Sequence, residues 1–143
     1  MNLSLSKPSG LFTGLLCLLL LLLRWGIAAA DELQGDIRLQ PARDDVSWVG
    51  QELELNLELW SNGLSFGDQL FVLPEVRGGY LMQADSSTVK LNETRENVQW
   101  QGLRYTLLFY PQRAGRLVVP SFEVQFTARA GFGSEPVQFR RQT

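Results

Sequence analysis

The chemistry open to this chain is set first by what its 143 residues lack. There is no histidine, and the single cysteine, Cys17, falls inside a hydrophobic run near the start. The commonest general base, the usual zinc ligands and a thiol nucleophile are therefore missing from everything after that run. Carboxylates remain. Asp44-Asp45 could hold calcium together with neighbouring carbonyls, or simply form a turn before a strand. Glu52, Glu54 and Glu58 share one face of an alternating segment. That face reads either as an acidic docking strip or as an ordinary solvated surface. A glycosidase pair drawn from the same residues has no cleft signal beside it. Gly131-x-Gly133 lacks the third glycine and the following helix of a phosphate-binding loop. Asn92-Glu93-Thr94 matches a glycosylation triplet, a pattern that arises often by chance. Trp60 has the parity of Glu58, so two readings stand: an exposed anchor for a partner or a sugar, or a ring packed under the following loop. The expectation is a non-catalytic protein with no cofactor and no metal.

The elements that would position these residues divide at residue 30. Met1–Gly10 is polar with Lys7, Leu11–Leu23 is apolar, and Ala28-Ala29-Ala30 precedes Asp31. A charged start, a short apolar stretch and small residues at the end form the pattern of a cleavable signal peptide. The alternative is an uncleaved anchor over residues 11–30, but Arg24 interrupts the run before the ~20 residues a bilayer crossing needs. Cys17 follows Leu16 rather than a small residue, which fits an apolar helix better than lipid attachment. Removing the leader takes Lys7 and Arg24 with it and moves the formal charge from −2 to −4. This mild acidity argues against nucleic acid, whose phosphates demand a basic face.

Residues 31–143 read as one all-β domain. Glu52-Leu53-Glu54-Leu55-Asn56-Leu57-Glu58-Leu59 alternates strictly, with leucines on one side and polar residues on the other. Weaker runs cover residues 36–40, 69–73, 80–84, 88–91, 98–110, 116–119, 122–128 and 137–140. The runs at 80–84 and 88–91 read as a pair around Asp85-Ser86-Ser87. In the long run, Leu103, Tyr105, Leu107 and Phe109 share one face. Glycine, proline and asparagine clusters separate the runs. Short strands at this spacing predict an immunoglobulin-like antiparallel β-sandwich of about seven strands.

One stretch is more specific. Residues 100–124 contain an aromatic strand followed by Pro111-Gln112-Arg113-Ala114-Gly115-Arg116-Leu117-Val118-Val119-Pro120 and a further strand. This resembles the first domain of BatD-type oxygen-tolerance proteins. Arg43 to Gln51, with Leu53 and Leu55, resembles the family's opening strand and turn, and Leu73-Pro74-Glu75-Val76 its middle segment. Pro111, Arg113, Ala114, Gly115, Leu117 and Pro120 are the turn residues this likeness singles out. Gly115 is expected to take a positive φ, Pro120 to end a short strand, and Leu117 and Val119 to pack inward.

The resemblance implies a periplasmic, membrane-associated interaction module. Its implied partners are membrane proteins with von Willebrand A domains and a MoxR-type AAA+ ATPase system, in stress tolerance or envelope assembly. Family members usually continue through further sandwich domains to a transmembrane helix, whereas this sequence stops at Thr143. Membrane contact is then expected only through an uncleaved leader or a partner. Glu54, Glu58 and Trp60 are the expected partner-binding residues. The alternative function is a carbohydrate-binding or adhesin-like module on the same fold.

Overall fold

Alternation of apolar and polar residues does produce strands in the computed structural model, which describes residues 32–43 and 48–143. The leader, Cys17 and the Asp44-Asp45 pair lie outside the described residues. All described strands belong to one unit, Leu33–Thr143. Eight strands follow in order: β1 (Gly35–Pro41), β2 (Leu53–Ser61), β3 (Ser65–Phe71), β4 (Gly79–Gln83), β5 (Val89–Arg95), β6 (Val98–Pro111), β7 (Glu123–Arg129) and β8 (Val137–Gln142). No helix occurs among the described residues.

The strands form two antiparallel sheets. In the larger, β1 pairs with β2 and β2 with β6, whose far edge carries both β5 and β4. In the smaller, β7 lies between β3 and β8. The two sheets share one core. Leu57, Leu59 and Leu107 of the larger are fully buried with Val124, Phe126 and Ala128 of the smaller. Phe126 stacks on Phe139 at 5.2 Å and is tilted against Phe66 at 5.8 Å. Phe71 of β3 meets Tyr105 of β6 edge-on at 5.4 Å, and the Tyr105 hydroxyl bonds Gln69 Oε1 at 3.0 Å, so the sheets are stapled across the interior. The arrangement is sandwich-like, with the leucines of β2 facing inward as their spacing predicts.

Two expectations about pairing are corrected. Residues 80–84 and 88–91 do not pair with each other. β4 runs beside residues 107–111 of β6, and β5 beside residues 98–104. At 14 residues β6 is long enough to give each its own stretch of ladder. Residues 116–119 alternate in burial but form no strand, so Pro120 has no strand to end. Alternating burial requires one wall to pack against; a ladder requires a neighbouring backbone as well.

Candidate functional site

The outer face of the larger sheet carries the three residues expected to bind a partner, and the structure separates them. Glu54 is exposed, whereas Glu58 and Trp60 are 2 % and 4 % exposed. Neither an acidic strip ending at Glu58 nor an exposed Trp60 exists. Arginine side chains from β1 and β5 lie over the Trp60 ring.

The cover is built by register. Trp60 stands directly opposite Gly102 of β6, and its ring lies over that residue. A Cβ at position 102 would come within 2.9 Å of the ring, so only glycine leaves room for an indole laid flat. The Arg38 guanidinium sits 5.4 Å from the Trp60 ring. That of Arg95 lies between two indoles, 4.9 Å from Trp60 and 4.2 Å from Trp100. Such pairs strengthen as they lose water. Trp60 Nε1 donates to Glu58 Oε2 at 3.0 Å, and Arg104 donates to Glu58 Oε1 through Nε at 3.0 Å and Nη2 at 2.7 Å. Further out, Glu93 accepts from Arg38 and Arg95, each at 3.2 Å, and Asp36 accepts from Arg95 at 3.3 Å. Arg95 Nη2 is buried without an acceptor, and the two indole faces take that place.

This network yields two predictions. Gly102→Ala should cost about 1–3 kcal/mol, the usual range for overpacking, and should alter the near-ultraviolet signal of the indoles. Unchanged thermal unfolding would show that the ring does not rest there. The second concerns Glu93. Its partial burial raises the carboxyl pKa, but the hydrogen bonds and charges of Arg95 and Arg38 outweigh that and hold it below its ordinary 4.5. A lowered folded pKa contributes stability that is complete above the unfolded value and lost as pH falls through the folded one. Urea midpoints should therefore fall below about pH 4.5, and less steeply in Glu93→Gln. Parallel slopes in the two proteins would refute the pairing.

The other half of the same face is open. Glu54, Leu108 and Met82 are cross-strand neighbours on β2, β6 and β4, and Tyr110 pairs with Tyr80 one step further along. Tyr80 is 66 % exposed and Met82 49 %. The Tyr110 hydroxyl donates to the Glu52 carboxylate, and chiefly for that reason the phenol titrates above its ordinary range. Spacing identified Glu54. It missed Tyr80 and Met82 because a five-residue run beside a double glycine gives no clean alternation.

The turn residues lie at the loop end below this open half. Pro111 is buried, closes β6, and accepts from Gly50 N at 2.7 Å. Arg113 packs along Gly78, its side chain filling the place where a Cβ would stand. Ala114 is exposed, Gly115 has φ +98°, Leu117 is half-buried and Pro120 is exposed. These residues shape a connection between β6 and β7. Among the described residues no three His, Cys, Asp or Glu side chains gather as a metal site would require. The chain matches no protein-family model, no curated protein and no solved structure.

Proposed function

We propose that this chain is a non-catalytic, exported protein-interaction module of the BatD type, acting in the periplasm with membrane proteins that carry von Willebrand A domains and with a MoxR-type ATPase system. The observation that carries the reading is the divided outer face of the larger sheet. One half is closed by stacked arginines and tryptophans, and the other presents Tyr80, Met82 and Glu54 to solvent. A rigid sheet with an open apolar area suits recognition of another protein.

The strand order supports the immunoglobulin-like part of the reading. The sequence β1-β2-β6 with β5 and β4, set against β3-β7-β8, follows the A-B-E-D and C-F-G pattern of that fold, with the fourth strand divided in two. Trp60, on which a carbohydrate-binding module would have relied, is buried. Affinity capture from solubilised envelope of the source cells, read by mass spectrometry, should return a von Willebrand A-domain membrane protein, and fewer copies with a Tyr80→Ser, Met82→Ser variant. Recovery of no such protein would reject the proposal.

A further inference from the structure

The open half of the face carries a charge pattern that selects among partners. The arginines of the closed half, Arg38, Arg95 and Arg104, are all engaged with Glu58, Glu93 or Asp36, and Arg113 packs along Gly78 at the loop end of the open half. The open half has two carboxylates, Glu52 and Glu54. Neither forms an ion pair among the described residues. Glu52 accepts the Tyr110 hydroxyl, which fixes one carboxylate beside an aromatic ring. Leu108 and Met82 lie in register with Glu54, and Tyr80 with Tyr110, so apolar surface adjoins both charges.

We infer that this area docks a cationic, apolar segment of a partner protein, in which lysine or arginine flanks leucine-like or aromatic side chains. The inference rests on the interaction-module reading and deepens it by naming the partner's chemistry. Two uncompensated carboxylates repel anionic lipid headgroups and acidic peptides alike, while Tyr80, Met82 and Leu108 gain by leaving water. An arginine or lysine that reaches Glu54 meets a carboxylate that no cation of the described residues pairs with. The closed half supplies a border whose arginines are already paired with its own carboxylates.

The test is fluorescence anisotropy with a labelled peptide of three Lys-Leu-Leu-Ser repeats, titrated with the whole exported protein. Saturable binding is expected, weakening as salt rises. Glu54→Lys and the double variant Tyr80→Ser, Met82→Ser should each weaken it at least ten-fold. Leu70→Ser, at an exposed position on the opposite sheet, should leave it unchanged. Circular dichroism melts of all variants establish that each is folded. No binding, equal binding of a Glu-Leu-Leu-Ser peptide, or an equal loss in Leu70→Ser overturns the inference, as does binding of a glycan in its place. The module reading fails separately. If Glu54→Lys retains the envelope partner in full, this face is wrong and the module stands; if wild-type protein captures no such partner, the module falls whatever the peptide does.

Discussion

Glu58→Ala is expected to destabilise the protein by about 3–5 kcal/mol, the range for breaking a buried ion pair from one side. Glu58 is 2 % exposed and accepts three hydrogen bonds, two from Arg104 and one from Trp60. Its removal leaves a partly buried guanidinium and a buried indole N–H with no acceptor, and each must then be left unpaired or hydrated. Native proteins have only about 5–15 kcal/mol in hand, so a large fraction of the total is at stake. Glu58→Gln keeps an acceptor for Trp60 but gives up the charge, and should lie between alanine and wild type. Chemical unfolding of the three proteins gives the order. A melting temperature for Glu58→Ala equal to wild type would show that the residue is an ordinary surface carboxylate after all.

Phe126→Ala should produce a loss of similar size, about 3–5 kcal/mol, by a different route. Phe126 is 1 % exposed, at the centre of β7, between Phe66 of β3 and Phe139 of β8. A Cβ on Gly35 would lie 2.9 Å from its ring tip, so β1 of the other sheet closes directly over it. Truncation leaves a cavity bounded by aromatic rings on strands that their ladders hold in place, which limits collapse. This loss should be independent of pH between 4 and 8. A loss below 1 kcal/mol would mean that the two sheets share less of their interior than the structure shows.

The contrast between these two residues also marks what the sequence could reveal. Phe126, Val124 and the leucines of β2 were legible because each lies in a run whose period of two needs no other segment to interpret it. Glu58 and Trp60 were assigned to the outer face by the same rule, and they are on it. Their burial was not legible. It depends on Arg38 from β1, Arg95 from β5 and Arg104 from β6 converging there, and register between distant strands has no local signature. Gly102 lies inside the long run at 98–110 with nothing local to mark it; its part as a seat for an indole exists only once β2 and β6 are paired. Asp85-Ser86-Ser87 resembled a hairpin turn because flanking runs and a polar break are common to hairpins and to two strands that share a neighbour. Alternation at 116–119 reported a half-buried wall faithfully while saying nothing of hydrogen bonding.

The double occupancy of one β6 edge has a practical consequence. β4 and β5 are each secured to β6 by their own ladder, and of the five residues between them Asp85, Ser86, Ser87 and Thr88 are exposed. Neither strand needs the other to hold its place. A reporter sequence grafted at Ser86 should therefore be tolerated with little change in melting temperature, which makes that junction a convenient point for labelling the protein while it works.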